Sequence, residues 1–285
     1  MEARDPAAQA DAMNVDHTVF LTRRYEETWR RYEELGFTLS PPSRHFAAPA
    51  DDSEPVPSCT ANRCAYFGGS FLELIGIVDE TAGDPWRVLP ILDDRGDGLH
   101  GVSFGVDDSE EAAKRLSEAG LSNSGVLKLH RDVDLPEGTR TARFRSVHIR
   151  RDRTPEGILH TAEHLTPEYV HQPRYLGHRN GARGVAGIVL VVPDDETAAY
   201  RQRYDVITGG RRLVDVIGAS DLDAVLPGEP PRTMPYFAAH GVVVADLAKA
   251  RKLLEEHVPT TTRTRGFFVR AEDAGGAALY FEEAR

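Results

Sequence analysis

The chain has 285 residues, of which 40% are hydrophobic and 28% are charged, a composition that suits a soluble globular protein with a substantial core. Its length predicts two domains or one repeated architecture. The net charge of −11 argues against a protein that binds nucleic-acid backbones. No apolar run reaches the about 20 residues that span a bilayer. We therefore expect a small molecule as the partner, with neither nucleic acid nor membrane.

The first residues and the cysteines indicate the compartment. Residues 1–13 are rich in Ala and Asp and lack an apolar run, so they predict a disordered tail rather than a secretory signal. Cys59 and Cys64 are the only cysteines, and they form neither a disulfide framework nor a zinc motif. We therefore expect a cytoplasmic protein without a structural disulfide.

Hydrophobic patterning predicts the same series twice in the first half: a strand, a helix and three further strands. The first series covers residues 15–22, 23–35, 37–40, 62–67 and 71–78. A linker rich in Asp, Gly and Pro follows over 79–97. The second series covers residues 99–106, 109–119, 125–129, 144–150 and 158–165.

Two further restarts follow a break near residues 166–184. The third is predicted as a strand, a helix and two strands at 184–192, 195–204, 205–208 and 212–217. The fourth is predicted as a strand, a helix and two strands at 240–244, 246–256, 264–270 and 277–282. The clearest echo is His-Gly-Val at 100–102 against 240–242, and restarts in fixed order indicate a repeat. We predict an α+β fold of four βαβββ modules in two paired halves, a first domain over 14–165, a linker over 166–183 and a second domain over 184–285.

Ionisable residues interrupt apolar strand faces in the first half at His17, Glu73 and His100. A buried ionisable group must be paired, neutralised or bound to a metal, because an isolated charge is too costly there. Imidazole and carboxylate ligands suit Zn, Fe, Ni, Mn or Co, so we expect a divalent metal. The fourth ligand stays open, because the strand over 158–165 carries Glu163 on one face and His160 on the other. We favour Glu163, with His160 as the alternative.

Several segments resemble the vicinal oxygen chelate superfamily and its glyoxalase-like members. They are DHTVFLT (16–22), RH (44–45), TANR (60–63), FLELI (71–75), GLHGVSFGVDD (98–108), EHLTPEYV (163–170) and GHRNGA (177–182). The resemblance covers most of residues 14–192, and only the repeat pattern extends it further. It implies that two modules form an eight-stranded cup, in which the first and fourth strands of each module hold a divalent metal.

The resemblance also assigns roles to residues of this chain. It implies metal ligation by His17, Glu73, His100 and Glu163, or His160 in place of Glu163. It implies that the mouth of the cup contacts an anionic or oxygen-rich substrate through Arg44, His45, Asn62 and Arg63. The second half departs from the pattern, since Gly187 stands where His17 is expected and only His240 and Glu282 remain as candidate ligands. We expect a degenerate second half that binds no metal.

Three functions follow from the resemblance. The first is a metal-dependent isomerase or lyase, in which the metal stabilises an oxyanion and Glu73 or Glu163 is the general base. The second is an extradiol- or hydroxyphenylpyruvate-type dioxygenase, whose iron would be held by His17, His100 and Glu163. The third is a metal-free protein that sequesters a small molecule, as resistance proteins do. We favour the first and leave open the substrate and whether the chain forms a homodimer.

Overall fold

A computed structural model describes residues 14–47 and 54–284, so the tail predicted over 1–13 lies outside the described residues. The described chain contains one β-sheet of eight strands and one of six. Helices accompany both sheets, and the predicted α+β fold is confirmed. None of the helices in these ranges is long and apolar enough to cross a membrane.

The first sheet and its helices comprise two complete modules. Their elements are β1 (Val15–Thr22), α1 (Tyr25–Glu34), β2 (Ser43–Ala47), β3 (Val56–Tyr66), β4 (Phe71–Ile77), α2 (Val88–Arg95), β5 (Gly98–Gly105), α3 (Ser109–Glu118), β6 (Asn123–Leu135), β7 (Gly138–Ile149) and β8 (Ile158–His164). The strand order is β2-β3-β4-β1-β5-β8-β7-β6. The first strands of the two modules, β1 and β5, are therefore antiparallel neighbours at the centre of the sheet.

The second sheet is a shortened version of the first. It follows α4 (Pro167–Val170), which packs on the first sheet, and its part of the chain contains β9 (Ala182–Val192), α5 (Thr197–Ile207), β10 (Val214–Gly218), α6 (Leu222–Val225), β11 (Tyr236–Val244), α7 (Leu247–Leu254), β12 (Thr261–Arg263), β13 (Gly266–Val269) and β14 (Ala278–Glu283). The strand order is β10-β9-β11-β14-β13-β12. Since β10 pairs in parallel with β9, as β4 does with β1, the third module has only two of its four strands.

Three local predictions are wrong for identifiable reasons. Residues 37–40 form no strand, and the strand begins only after Pro41 and Pro42, which cannot donate a ladder hydrogen bond. The linker predicted over 79–97 contains α2, whose first amides donate to the Asp84 carboxylate. The strand predicted over 205–208 is instead the end of α5, because Tyr204 and Ile207 continue the buried stripe of that helix.

The two faces of the first sheet have different environments. One face packs against helices and the second half, and Phe20, Val102 and Phe281 belong to that single core. The opposite face curls around a cavity of about 1010 Å³, whose lining includes His17 and Glu73. The fold therefore keeps one concave face of the first half open to a ligand, while the convex face is used for packing.

His240 joins the two halves and does not face the concave side of the second sheet. It is fully buried, with Nε2 2.9 Å from the Tyr32 hydroxyl and Nδ1 3.2 Å from Thr18 Oγ1. Both partners belong to the first half. Burial lowers the pKa of His240 to about 3. His240, which was a candidate metal ligand of the second half, is therefore a neutral residue that packs between the two halves.

The burial of His240 predicts acid sensitivity. The unfolded chain takes up a proton near the ordinary pKa of 6.5, whereas the folded chain does so only near 3, so stability is lost as the pH falls between these values. At pH 5 this residue alone should cost about 2 kcal/mol of unfolding free energy. His100 and His171 add to the trend, because burial lowers the pKa of each to about 4.

We expect urea unfolding at pH 7 and pH 5 to show a smaller acid-induced loss of stability in His240→Gln than in the parent chain. The exposed His130 on β6 provides the control variant His130→Gln, which should keep the parent's pH dependence. An equal loss in the parent and in His240→Gln would contradict this assignment.

Candidate active site

Three ionisable side chains meet on the floor of the cup. Nε2 of His17 on β1 lies 3.2 Å from Nε2 of His160 on β8 and 3.9 Å from Oε2 of Glu73 on β4. The ring of His17 also stacks on Phe71, with the centroids 4.5 Å apart. The floor is thus a polar group of two imidazoles and one carboxylate with an aromatic side wall.

Small residues on β5 allow this meeting, because β5 lies between β1 and β8. Ser103 is paired with His17 on one side and with His160 on the other. Two residues earlier, on the same face of β5, a Cβ added to Gly101 would lie 3.2 Å from Val19 Cβ and 2.8 Å from Ile158 Cβ. Larger side chains at positions 101 or 103 would come between the side chains of β1 and those of β8.

Asp16 fixes the orientation of the His17 ring. A register shift between Val15 and His17 interrupts the regular pairing of β1 at this point. The Asp16 carboxylate lies 2.5 Å from Nδ1 of His17 and 2.9 Å from Nε2 of His164. A carboxylate on the far nitrogen of a histidine fixes the tautomer and raises the basicity of the nitrogen that faces the site.

The carboxylates around His17 determine its charge. Burial opposes protonation of the ring, but the hydrogen bond and charge of Asp16, together with the charge of Glu73, outweigh it and raise the pKa of His17. Burial also opposes ionisation of Asp16, but hydrogen bonds from His164 and His17 hold the pKa of that carboxyl well below its usual range. Burial lowers the pKa of His160, and the charge of His17 lowers it further.

Glu73 is held by an amide. Nδ2 of Asn62 donates to Oε1 of Glu73 over 2.6 Å, which leaves Oε2 directed towards His17. Oδ1 of Asn62 is buried and has no hydrogen-bond partner among the described residues. The Oγ of Ser103 and the Nδ1 of His160 are likewise buried without a partner. Each of these buried polar atoms therefore requires a partner, such as a ligand, an ion or an ordered water molecule.

Arg131 places a positive charge in the cup. It comes from β6, its Nη2 donates to the Tyr66 hydroxyl over 3.1 Å, and its Cζ lies 6.0 Å from the Phe144 ring centroid. Its Nε is buried without a hydrogen-bond partner in the described part of the chain. A guanidinium with a free donor beside an apolar wall suits an anionic group of a substrate. Arg131 was not among the predicted site residues, although it interrupts a strand face that otherwise carries the apolar residues Leu129 and Val133.

Of the residues predicted at the mouth of the cup, Arg44, His45 and Asn62 line the cavity. Arg44 lies 3.2 Å from Asp79, and the ring of His45 contacts Trp86 edge to face. The structure does not bring Arg63 to the site. Its guanidinium lies over Trp29 of α1 and pairs with Glu33, on the opposite side of the sheet.

Two predicted ligands also lie elsewhere. His100 follows the parity of Val102 and Phe104, which face the core, and its Nε2 contacts the Gly96 carbonyl over 2.7 Å in a cleft between the halves. Glu163 accepts the amide of Ser109 over 3.0 Å, and Arg145 lies 3.5 Å from it. Neither joins His17, so of the residues named for ligation the structure groups His17, Glu73 and the alternative His160.

The side chains on the floor of the cup are of the kinds that ligate divalent metals. Nitrogen ligands about 2.0–2.1 Å from one ion lie roughly 3.0–3.5 Å from each other. The separation of 3.2 Å between the two Nε2 atoms agrees with that spacing. The 3.9 Å to Glu73 is slightly longer, and no three His, Cys, Asp or Glu side chains of the described chain are already arranged around one point. A small movement of the Glu73 carboxylate, which is held through one oxygen, would complete the set.

The Asp16 contact predicts the titration of His17 in the metal-free protein. We expect His17 to titrate above the ordinary pKa of 6.5, and the pKa to fall in Asp16→Asn because the stabilising charge is removed. Histidine ring signals in two-dimensional NMR spectra recorded against pH provide the measurement. Glu163→Gln, which removes a carboxylate on the other side of β8, is the control, and an equal shift in both variants would contradict the assignment.

Comparison with known proteins agrees with the fold. A family model described as a glyoxalase-like domain matches residues 15–205. No curated protein matches the chain. A hypothetical protein from Staphylococcus aureus superposes with a TM-score of 0.61 at 9% identity, over 95% of this chain and 100% of its own.

Two further solved structures match with incomplete coverage, one mainly of its own length and the other mainly of this chain. A xylose isomerase-like TIM barrel/4-hydroxyphenylpyruvate dioxygenase fusion protein matches with a TM-score of 0.51 at 9% identity, over 87% of this chain and 39% of its own. Methylmalonyl-CoA epimerase from Mycobacterium tuberculosis matches at 16% identity and a TM-score of 0.35, over 53% of this chain and 87% of its own. At such identities a structural likeness concerns the fold alone. With the family model covering two thirds of its length, the chain belongs to the glyoxalase-like domain family.

Proposed function

We propose that the first cup is the active site of a metal-dependent enzyme that acts on a small, anionic, oxygen-rich substrate by isomerase or lyase chemistry. The observation that carries the proposal is the meeting of His17, His160 and Glu73 on the floor of a cavity of about 1010 Å³. A bound divalent cation would act there as a Lewis acid towards substrate oxygens. The cavity is large enough for a substrate of ordinary metabolite size.

Other residues of the chain would orient the metal ligands and bind the substrate. Asp16 holds His17 so that Nε2 faces the cup, and Asn62 holds Glu73 in the same way. Arg131 is suited to bind a carboxylate or another anionic group of the substrate, through the donor that has no partner. Beside an apolar wall such as the Phe144 ring, charge interactions are stronger than in bulk water.

A proton acceptor in this site must be unprotonated at working pH and must face the substrate. His148 and His45 both line the cup, and burial lowers the pKa of each. The positive charge of His17 lowers the pKa of His148 further. The geometry therefore favours a histidine as the general base over Glu163, whose carboxylate is engaged by Ser109 and Arg145.

Metal binding tests the proposed site. We expect His17→Ala and His160→Ala each to weaken binding of Zn²⁺ or Co²⁺ by at least about 100-fold, because each removes a ligand from a three-residue set. Isothermal titration calorimetry and the Co²⁺ absorption spectrum provide the measurement.

The matched control for these variants is His100→Gln, which replaces a buried histidine on the strand between β1 and β8. Its side chain faces the cleft between the halves, so metal affinity should stay within about twofold of the parent. Loss of metal in His100→Gln but not in His160→Ala would refute the site. A chain that binds no metal yet retains an aromatic anion would instead be a sequestration protein.

A dioxygenase is the second candidate, favoured by one specific observation. Two histidines and one carboxylate with open positions are the donor set of non-haem Fe(II) oxygenases, and the cup offers His17, His160 and Glu73. In an oxygen electrode, protein loaded with Fe²⁺ should then consume oxygen with a catechol or with 4-hydroxyphenylpyruvate. Uptake that is absent, or that persists in His160→Ala, would exclude this candidate for the substrates tested.

A further inference from the structure

The second sheet carries a different polar group where the first has its imidazoles. The His-Gly-Val echo aligns residues 100–102 with 240–242, and the strand registers extend that alignment. Ser103 on β5 pairs with His160, and Val243 on β11 pairs with Glu282 in the same way. Glu282 therefore occupies the position of His160, and the residues around it show what replaced the candidate metal ligands.

Arginines surround this position. A cavity of about 470 Å³ is lined by five arginines and three acidic residues of the described chain. Their formal charges sum to about +2, in a chain whose net charge is −11. The acidic members are Asp205, Asp215 and Glu282, and the arginines are Arg201, Arg211, Arg212, Arg263 and Arg265. The local excess of positive charge opposes the charge of the whole protein.

Two of these arginines are anchored. Nε and Nη2 of Arg201 donate to the Val216 carbonyl over 3.1 and 3.0 Å. Nη2 of Arg265 donates to Oε1 of Glu282 over 3.0 Å. These contacts hold the two side chains at the rim, so their positions do not depend on a ligand.

Arg263 is the member with an unused donor. Its guanidinium carbon lies 4.1 Å from the ring centroid of Tyr280, and it forms no ion pair with a described carboxylate. Its Nη1 is buried and has no hydrogen-bond partner among the described residues. A buried guanidinium nitrogen without a partner costs free energy that a bound anion would recover.

Glycine on β11 makes room for this arrangement. The Tyr280 ring covers Gly241, where an added Cβ would lie 1.9 Å from the ring. The ring in turn supports the Arg263 guanidinium from one side. An arginine that is stacked on an aromatic ring loses less side-chain freedom when it binds a ligand. The Arg263 guanidinium is therefore pre-organised to bind a planar carboxylate or a tetrahedral phosphate.

We propose that this cavity, defined by Arg263, Arg265, Tyr280 and the surrounding arginines, is a second binding site that takes the phosphate or carboxylate group of a small metabolite. Guanidinium groups recognise both oxyanions by charge-assisted hydrogen bonds. The second half is then a ligand-binding copy of the cup that uses arginine instead of imidazole. This site is independent of metal binding in the first half.

Calorimetric titration of the full chain with inorganic phosphate, and separately with malonate, tests the proposal against NaCl of matched ionic strength. We expect saturable binding of one anion to this site, weakened at least about tenfold in Arg263→Gln, since a charge-assisted hydrogen bond is lost. Tighter binding of phosphate would identify a phosphate ester, and tighter binding of malonate a carboxylate. Arg265→Gln, at the more exposed rim, provides a second variant and should also weaken binding.

Two control variants make the test specific. Arg30→Gln, on the exposed side of α1, should leave anion affinity unchanged. Arg131→Gln removes the guanidinium that the proposed function assigns to anion binding in the first cup, so any binding event lost in this variant belongs to the first cup, and the event assigned to Arg263 should persist. The proposal is overturned by the absence of saturable binding beyond the NaCl effect, by binding that survives both Arg263→Gln and Arg265→Gln, or by binding lost only in Arg131→Gln.

Discussion

The meeting of side chains from β1 and β8 across β5 is the constraint on which the candidate site depends. Ser103 and Gly101 leave space above the central strand, and His17 and His160 meet in that space at 3.2 Å. Backbone pairing alone would keep two strands with one strand between them about 9–10 Å apart. Only small residues on β5 let the side chains bridge that distance on the concave face.

Charge compensation then determines what the site can hold. The ring of His17 is buried between Asp16 and Glu73, so a positive charge at its Nε2 side is favoured whether a proton or a metal ion supplies it. Proton and metal compete for the same nitrogen, and metal affinity therefore rises with pH. Arg131 adds a separate positive charge a short way up the wall, where a substrate anion rather than the metal would neutralise it.

The modular plan could be predicted from the sequence because it depends on hydrophobic patterning that repeats along the chain. The two complete modules and the break between the halves follow from that periodicity, whereas the shortened third module does not, because α5 ends in Val206 and Ile207, which also suit a strand. The family resemblance correctly indicated a glyoxalase-like protein.

The position of individual side chains was harder to predict. His100 stands out in the sequence, yet it is Ser103 that pairs with both His17 and His160, and only the strand register shows this. Asp16 lies in a segment that carries the family resemblance, but its role depends on a local shift in strand pairing. Arg131 reaches the cup from a distant strand, and that approach depends on the fold of the sheet. Strand parity correctly separated His160 from Glu163, but parity alone could not say which face was concave.

The central claim is that one ion is shared by three side chains from three different strands. Anomalous diffraction from crystals of the chain grown with Zn²⁺ or Co²⁺, collected on both sides of the metal absorption edge, tests it directly. We expect one strong peak within about 2.0–2.3 Å of His17 Nε2, His160 Nε2 and a Glu73 oxygen. A metal peak beside His100 or Glu163, with none on the floor of the cup, would contradict it.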